Sequence, residues 1–411
     1  MELTQEFKTT ISVINGTVSV FMVVFAIAPI FWASISDFGG RRPLLLSAEV
    51  VFVVANIVLA AAPKHLAVLY IFRIIQAVGA STMTVGMGVV ADICQPSIRA
   101  RAISYYMLGP QFGPILGPIL SIVGALGSWR WTFGMLAIFG FTVFLMITFL
   151  LPETLRILVG KGEYLKKLKT YFVNPVFKQK KIIPVDAVFP HPPKPSLANF
   201  VKLIRQERVW MTTVSGSFVF AAYYGVLVIF SQVLQELYGF TQLQVSLSYI
   251  CPGVSLICGS ILGGHLSDFA RKKQLQRHPD YYCPEKRLSF QLIGTFILIS
   301  GLLGYGWCAQ KRVHVVSIFC FIFLCGFGMT WILNSNTTYL SECSTEQPAT
   351  YVSIGNFGRN LGAAICSAII HILVRKMGYG WCFTGLALVS LISAVLTVVL
   401  LIRGRKTRIF V

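Results

Sequence analysis

The sequence predicts an all-α polytopic membrane protein, and two observations carry this prediction. Hydrophobic residues make up 55% of the 411 residues and charged residues only 12%, and the mean hydropathy is +0.72. The hydrophobic residues form runs of about 18 residues or more, the length that a helix needs to cross a bilayer. A soluble protein of this length would need a charged surface that this composition does not supply.

Polar breaks between the apolar runs define the elements in chain order. Eleven helical spans are predicted, at 14–35, 44–62, 66–91, 103–125, 131–151, 209–231, 244–267, 288–308, 314–335, 349–372 and 379–402. They form an N-terminal bundle at 1–151 and a six-helix bundle at 209–402. The linker at 152–208 is basic and rich in proline, which favours a solvated and partly extended segment, and a basic tail follows at 403–411.

The basic residues predict the orientation of the chain in the membrane. There are 35 lysines and arginines against 15 acidic residues, a formal charge of +20. We exclude nucleic-acid binding, because the basic residues lie in loops between spans and not on one face interleaved with aromatic residues. Counted loop by loop, 26 of the 35 lie on the side of the linker and the C-terminus, and seven lie on the opposite side. This imbalance predicts a cytoplasmic C-terminus.

The residue types that build enzymes and metal sites form no recognisable pattern. Several of the ten cysteines lie within apolar runs, among them Cys251, Cys258, Cys320, Cys325 and Cys366, and there is no CxxC pair or histidine-spaced cluster. No nucleophile–base pair or nucleotide-binding loop occurs either. We therefore expect no enzymatic activity, no metal ion and no cofactor.

A short segment occurs twice, once in each half of the chain. Residues 33–43 are ASISDFGGRRP and residues 263–272 are GGHLSDFARK. An aspartate at the end of one span, followed by a flexible turn and basic residues, predicts an ion pair between neighbouring helices. Such a pair can stabilise one conformation and break in another. The predicted conformational latch comprises Asp37, Gly40, Arg41, Arg42, Gly264, Asp268 and Arg271.

Charged side chains inside the spans are further candidates. Arg73 lies deep in the third span, where an arginine costs roughly 2.5–3.5 kcal/mol on insertion scales, and Gln76 follows one turn later. We expect Arg73 either to face a cavity and a partner or to tie its helix to backbone carbonyls nearby. Glu49 lies roughly 10 Å inside the second span. It is either paired or snorkelling, or it carries a proton.

The fourth predicted span contains a repeated Gly-Pro pair. Residues 109–118 are GPQFGPILGP, so a small residue recurs every four positions and forms one smooth helix face. The prolines bend the helix and free backbone carbonyls. The motif residues are Gly109, Pro110, Gly113, Pro114, Gly117 and Pro118.

Together these motifs resemble the major facilitator superfamily, in particular its fungal twelve-span drug:proton antiporters near the quinidine- and dityrosine-exporting members. The LPETLR segment at 151–156 and the GYGWC segments at 304–308 and 378–382 add to the resemblance. It implies two parallel six-helix bundles, a third-span arginine tied to proton coupling, and a Gly-Pro antiporter signature that uniporters and symporters generally lack. Ala33 and Phe38 depart from the usual loop pattern.

The resemblance also implies which helices line the substrate cavity. Aromatic side chains with a few amides on these helices suit amphipathic organic molecules, although each of these residues can equally serve in packing. A polar cluster on the tenth predicted span faces either the cavity or the interface between the halves. The predicted cavity residues are Tyr223, Tyr224, Gln232, Trp331, Asn334, Asn336, Asn356 and Arg359.

The number of spans is odd. Five predicted spans precede the linker and six follow it, and the repeated segment ends the first span of one half and the second span of the other. Two parallel six-helix halves therefore predict that the first family helix is missing upstream of Met1, and that the N-terminus lies outside. The expected origins are a wrong start codon, a truncated isoform or gene decay.

The expected function is proton-coupled antiport, in which small organic compounds or drugs are exported by alternating access. The expected partners are the lipid bilayer, a small organic substrate and protons, with the proton gradient as energy source. We expect a monomer in the plasma membrane, with a vacuolar or spore-related membrane as alternatives. Two other functions stay open: a truncated non-transporting or regulatory membrane protein, and a nutrient facilitator of the same fold.

Overall fold

Long helices account for nearly all of the described chain. The computed structural model describes residues 7, 9, 11–61, 65–125, 129–159, 195–278, 281–344, 346–403 and 409–410. The helices are α1 (Ile11–Gly39), α2 (Arg41–Ala61), α3 (Leu66–Ala80), α4 (Met83–Ile93), α5 (Arg99–Ala125), α6 (Arg130–Leu150), α7 (Arg156–Val159), α8 (Leu197–Ile204), α9 (Glu207–Tyr238), α10 (Gln242–Ser248), α11 (Ile250–Arg277), α12 (Gln291–Gln310), α13 (Val315–Glu342) and α14 (Pro348–Arg403). The all-α membrane fold predicted from the sequence is confirmed.

The remaining regular structure is short. A 3₁₀ helix covers Pro284–Leu288, and two strands of two residues each, β1 (Tyr281–Tyr282) and β2 (Ile409–Phe410), pair antiparallel. The lysine- and proline-rich part of the predicted linker, 160–194, lies outside the described residues, as do 404–408 and 411 of the predicted tail.

The observed helices correspond to the predicted spans. Within the described residues, nine helical stretches are long and apolar enough to cross a membrane. The last of them, α14, contains two helices divided at Gly378, whose φ of 76° is not helical. Helix α5 matches the fourth predicted span with its 27 residues but is not among the nine. Dividing α14 and adding α5 recovers the eleven predicted spans.

The described chain divides into two compact units. Unit 1 comprises Met1–Ile93, Leu120–Phe200 and Thr345–Ser353, and unit 2 comprises Cys94–Ile119, Val201–Ser344 and Ile354–Val411. Each unit therefore takes in a segment from the other side of the predicted linker. The bundle boundaries drawn from the sequence stay a prediction.

Close backbone approaches position the helices of unit 1. A methyl group at Gly79 would lie 2.6 Å from the backbone nitrogen of Phe52, so α3 reaches α2 only because residue 79 has no side chain. Gly140 on α6 meets the other side of Phe52, with a built methyl 2.9 Å from its Cδ1. These approaches hold Arg73 and Gln76 of α3 against α2.

Helices α9 to α13 and both halves of α14 contribute to the apolar core of unit 2. The rings of Tyr305 and Phe383 meet edge to face, with centroids 5.0 Å apart. A methyl group at Gly328 would lie 2.6 Å from the carbonyl oxygen of Gly294, so α12 and α13 are in backbone contact. This packing holds α13 with its polar residues turned toward α9 and α11.

The two copies of the repeated segment differ in backbone structure. In the first copy, Gly40 has a φ of 115° and alone separates α1 from α2. In the second copy, α11 continues to Arg277. The turn predicted in the second copy is therefore wrong. The physical reason is that Ala270 and Arg271 replace Gly39 and Gly40, so nothing favours leaving the helix there.

Candidate functional site

The first latch lies where α1 ends and α2 begins. The Arg41 guanidinium lies between two carboxylates: Nη1 is 2.6 Å from Oδ1 of Asp37, and Nε is 2.9 Å from Oδ2 of Asp92. Nη1 also donates a hydrogen bond to Oγ of Ser36 at 2.8 Å. The Arg41 side chain is fully buried, so these charges interact where water screens them little.

Asp37 also connects α1 to the beginning of α14. Its Oδ2 accepts hydrogen bonds from the backbone nitrogen of Thr350 at 2.8 Å and from its Oγ1 at 2.5 Å. Thr350 lies in the first turn of α14, where the backbone N–H groups have no partner within the helix and favour a negative charge. The Asp37 carboxylate therefore combines an ion pair with a helix cap.

Glu153 holds the turn between α1 and α2 from another side. Its Oε1 accepts a hydrogen bond from the backbone nitrogen of Arg41 at 3.0 Å, and its Oε2 accepts one from that of Arg42 at 3.2 Å. A methyl group at Gly40 would lie 2.9 Å from the same Oε2. The Arg42 side chain donates to the carbonyl oxygen of Thr148 at 2.7 Å, so it anchors α2 to α6.

The second latch has a similar network around Asp268. Nη1 of Arg287 donates to Oδ1 of Asp268 at 2.8 Å, and its Nε and Nη2 each donate to one carboxylate oxygen of Glu342 at 2.8 Å. Arg287 also donates to the Tyr282 hydroxyl at 3.0 Å and to the carbonyl oxygen of Pro96. Its side chain is fully buried, as that of Arg41 is.

Asp268 also caps the beginning of α5. Its carboxylate accepts hydrogen bonds from the backbone nitrogens of Ala100 at 3.2 Å and Arg101 at 3.0 Å. The Arg101 side chain adds a contact at 3.3 Å but is 42% exposed. Each latch thus joins an aspartate, a buried arginine, a second carboxylate and the first N–H groups of another helix.

Two other predicted latch residues have different surroundings. Arg271 makes no ion pair within the described residues; its guanidinium carbon lies 4.9 Å from the centroid of the Tyr282 ring, in a cation–π contact. Arg287 is the arginine that pairs with Asp268. At Gly264 a methyl group would lie 2.8 Å from the carbonyl oxygen of Ala100, so this glycine brings α11 against α5.

Arg73 belongs to a polar chain between α2 and α3. Its Nη1 donates to Oε1 of Gln76 at 3.1 Å, and Nε2 of Gln76 donates to Oδ1 of Asn56 at 2.6 Å. The guanidinium carbon lies 4.8 Å from the ring centroid of Phe133. Arg73 has no carboxylate partner in the described part of the chain, which leaves its charge balanced only by dipoles and an aromatic face.

Glu49 lies on α2 seven residues before Asn56, so the two share a helix face two turns apart. It is half-buried, and it makes no hydrogen bond or ion pair with any residue that the structure describes. Its role in proton coupling stays a prediction.

The Gly-Pro repeat lies on α5. No described atom comes within 4 Å of the position that a methyl group would take at Gly109, Gly113 or Gly117. Pro110 is exposed, and Pro114 and Pro118 belong to the same helix. The three glycines therefore form a face that makes no close contact within the described structure.

The predicted cavity residues on α9 have mixed surroundings. Tyr223 is 2% exposed in the apolar core of unit 2. Tyr224 is half-buried, with its ring 6.1 Å from that of Phe220. Gln232 donates to Oε1 of Glu236 at 2.8 Å near the end of the helix.

Two predicted cavity residues of α13 make structural contacts. Nδ2 of Asn334 donates to Oγ of Ser260 at 2.6 Å and so ties α13 to α11. Trp331 is buried beside Gly263, where a methyl group would lie 2.8 Å from the Trp331 Cα. Whether any of these side chains contacts a substrate stays a prediction.

The other three predicted cavity residues converge. A methyl group at Gly216 of α9 would lie 3.4 Å from Nδ2 of Asn336 on α13 and 3.8 Å from Cγ of Arg359 on α14. Asn356 precedes Arg359 by three residues and shares its helix face. The structure thus brings Asn336 of α13 close to Arg359 and Asn356 of the next helix along the chain.

Comparison with known proteins decides the family. Residues 1–365 match the profile of the Major Facilitator Superfamily. The chain belongs to this superfamily. It is therefore a multi-pass integral membrane transporter of small substrates and not an enzyme.

The relatives are fungal transporters and antiporters by name. Dityrosine transporter 1 of Saccharomyces cerevisiae is 41% identical over 98% of this chain and 75% of its own length. Multidrug transporter DTR1 of Candida glabrata is 37% identical over 98% of this chain and 79% of its own. MFS antiporter QDR2 of Candida albicans is 27% identical over 94% and 80%. The resemblance to the fungal drug:proton antiporters is confirmed.

A solved structure has the same fold. The crystal structure of the human organic anion transporter MFSD10 (TETRAN) matches with a TM-score of 0.59. The match covers 96% of this chain and 87% of that one at 16% sequence identity. At this identity the match supports the fold alone.

Sequence reasoning missed the residues that complete the two latches. Each lies far along the chain from the aspartate that it serves, so no local pattern marks it. The one available signal was a carboxylate at the end of an apolar span, which needs a cationic partner. The missed residues are Asp92, Glu153, Thr350, Arg287 and Glu342.

Proposed function

We propose that this transporter exports small organic compounds in exchange for protons. The Gly-Pro repeat of α5 is the observation that carries the proposal, because transporters of this fold that are not antiporters generally lack it. Its glycines leave a smooth face with no described atom within 4 Å of a built methyl. Another surface or a substrate can approach such a face closely.

The names of the relatives support antiport and the kind of substrate. They refer to dityrosine transport, multidrug transport and antiport. We extend these properties to this chain as export of amphipathic, aromatic organic molecules. Dityrosine is the first compound to test, because the dityrosine transporter is 41% identical over nearly the whole chain.

Proton coupling is assigned to the polar residues of α2 and α3. Glu49 has no partner among the described residues, so it can gain and lose a proton without breaking an ion pair. The chain from Arg73 through Gln76 to Asn56 lies farther along the same pair of helices. We propose Glu49 as the proton acceptor and Arg73 as the residue that couples its charge to substrate binding.

The two latches are proposed to stabilise one access state. Each latch contains a buried arginine between two carboxylates, and the aspartate of that pair also caps a helix. The ion pair and the cap must therefore break at the same time. Alternating access would break these contacts in one state and restore them in the other.

The orientation belongs to the same proposal. The excess of basic residues in alternate loops supports a cytoplasmic C-terminus. Export from the cell then requires the plasma membrane, where we propose that the protein acts as a monomer.

The test uses purified protein in lipid vesicles with dityrosine as the probe. An acid-inside pH gradient should drive dityrosine into the vesicles, and a protonophore should abolish this uptake. Glu49→Gln should lose the dependence on the gradient while still exchanging internal for external dityrosine. Glu207→Gln is the matched control, because its carboxylate is exposed and paired with Arg403.

Either of two results would count against the proposal. Uptake that ignores the pH gradient would favour a facilitator of the same fold. If the Glu49→Gln protein keeps its full response to the gradient, a residue other than Glu49 is the proton acceptor.

A further inference from the structure

Arg359 is a positive charge inside a membrane-spanning helix. It follows the beginning of α14 at Pro348 by 11 residues, which places it roughly 16 Å along the helix. It is half-buried, and it makes no hydrogen bond or ion pair with any residue in the described ranges. A cation at such a depth faces a cavity or an anionic partner as a rule.

Every described acid of unit 2 is already engaged elsewhere. Asp268 and Glu342 bind Arg287, and each of the others has a cation or an amide of its own. The remaining pairs are Glu207 with Arg403, Glu236 with Gln232, and Glu285 with Arg208. No described carboxylate of this unit therefore balances the charge of Arg359.

Three more polar groups near Arg359 have no hydrogen-bond partner in the described structure. They are Oγ1 of Thr213 on α9, Nδ2 of Asn336 on α13 and Oδ1 of Asn356 on α14, and all three are buried. Buried polar atoms are nearly always hydrogen-bonded, so several unsatisfied ones at the same place indicate a binding site. Together with the guanidinium, they offer mainly N–H and O–H donors.

The backbone around Arg359 is held tightly. Gly358 and Gly362, on either side of it, bring α14 against α9: built methyl groups there would lie 2.7 Å from Oγ and 2.9 Å from the carbonyl oxygen of Ser217. The backbone of Arg359 is thus held between closely packed helices, which fixes where its side chain begins.

Gly216 supplies the space. A methyl group there would have only ordinary contacts, 3.4 Å to Nδ2 of Asn336 and 3.8 Å to Cγ of Arg359. The same methyl would lie 3.6 Å from Cδ2 of Leu333, so the space between the amide and the stem of the arginine holds a group of about methyl size. An alanine would fit in the same space without strain.

We propose that Arg359 and Asn336 bind a carboxylate of the transported molecule, so that the substrates are organic carboxylates. A guanidinium matches a carboxylate with two parallel hydrogen bonds, and the Asn336 amide adds a third donor. This assignment rests on the proposed function, since it names the substrate class of the exporter.

The experiment measures binding to the purified full-length protein, with no pH gradient present. The probes are dityrosine, tyrosine and citrate, each compared with its amide, in which no carboxylate remains. The wild-type protein should bind at least one acid about tenfold or more tightly than the matching amide, the size expected for a charge-assisted pair.

Variants of Arg359 test the role of its charge, and a variant of Gly216 tests the role of the space beside it. Arg359→Gln should lose the preference for the acid, whereas Arg359→Lys should keep part of it. Gly216→Ala should fold normally and bind the acid more weakly, because its methyl group fills the gap. Gly385→Ala is the matched control, since no described atom lies within 4 Å of its built methyl, and it should bind as the wild type does.

Equal binding of acids and amides by the wild type, for all three pairs, would overturn the assignment. An unchanged preference in Arg359→Gln would overturn it as well. If chloride displaces the acids as effectively as one acid displaces another, the site binds any small anion and the assignment also fails. A carboxylate preference without gradient-driven uptake would leave this assignment standing and reject proton antiport instead.

Discussion

The latch at Asp37 and the latch at Asp268 carry the same Ser-Asp-Phe sequence but recruit their arginines from different places. Arg41 comes four residues after its aspartate, and Arg287 comes 19 residues after. Both arginines are nevertheless fully buried between two carboxylates. What the two regions share is the charge arrangement around the aspartate and not the position of the arginine in the sequence.

The backbone explains the difference. Gly40 turns the chain out of α1 at once, so the first residue of α2 returns to Asp37. In the second copy the helix continues for nine residues beyond Asp268. Arg271 is therefore part of α11, and its guanidinium lies over the Tyr282 ring. The arginine of the following 3₁₀ helix then supplies the missing charge. A buried aspartate requires a cation, but the chain path decides which one arrives.

The largest expected effect comes from removing the buried arginines. Arg41→Met leaves Asp37 and Asp92 without this cation, and Arg287→Met leaves Glu342 without a cation and Asp268 with the exposed Arg101 alone; such losses cost about 3–5 kcal/mol. Arg287→Met should cost more, because Arg287 makes five hydrogen bonds, to Asp268, Glu342, Tyr282 and Pro96. The midpoint of thermal unfolding in detergent measures both.

A second substitution tests the cause of that loss. Adding Glu342→Gln to Arg287→Met removes the uncompensated charge and should recover part of the lost stability. If the double variant is less stable than Arg287→Met alone, lost packing and not the buried charge explains the defect.

An intermediate effect is expected at the turn of the first latch. Gly40→Ala forces a side chain into a φ of 115° and against Glu153, which costs about 1–3 kcal/mol. Gly39→Ala is the neighbouring control: residue 39 is helical, no described atom lies within 4 Å of its built methyl, and stability should be equal or higher.

The second copy sharpens this prediction. Ala270→Gly introduces the counterpart of the helical Gly39 and not of the turn residue Gly40, so α11 should continue through it, with a loss of only about 0.5–1 kcal/mol. A comparable loss in Gly40→Ala and Ala270→Gly would mean that the turn does not distinguish the two latches. The midpoints of thermal unfolding of Gly40→Ala and Ala270→Gly measure the two losses.

The smallest expected effect concerns the exposed arginine of the second latch. Arg101→Gln removes a contact to Asp268 whose arginine is 42% exposed, so the loss should stay within about 0.2–1 kcal/mol and shrink further in high salt. A loss as large as that of Arg287→Met would show that Arg101 and not Arg287 is the main cation of this latch.

Local sequence predicted some parts of the site well and others not at all. Asp37 and Arg41 were found because they lie in one short segment, and Asp268 because that segment is repeated. Arg287, Glu153 and Thr350 escaped because they approach the aspartates from distant elements. Arg271 was predicted as the partner of Asp268, but Arg287 is the arginine that pairs with it. A sequence repeat predicts which residue types recur, but it does not predict whether the helix continues through them.

By itself, the sequence determined the membrane class, the spans and the family, because hydrophobic run length and the spacing of small and charged residues are local properties. It also marked Arg73 and Arg359, because a charge inside an apolar run is visible without a structure. Only the tertiary structure decided which groups meet these charges. The grouping of Arg359 with Asn336 and Gly216 depends on three helices packing side by side, and no single stretch of sequence encodes that packing.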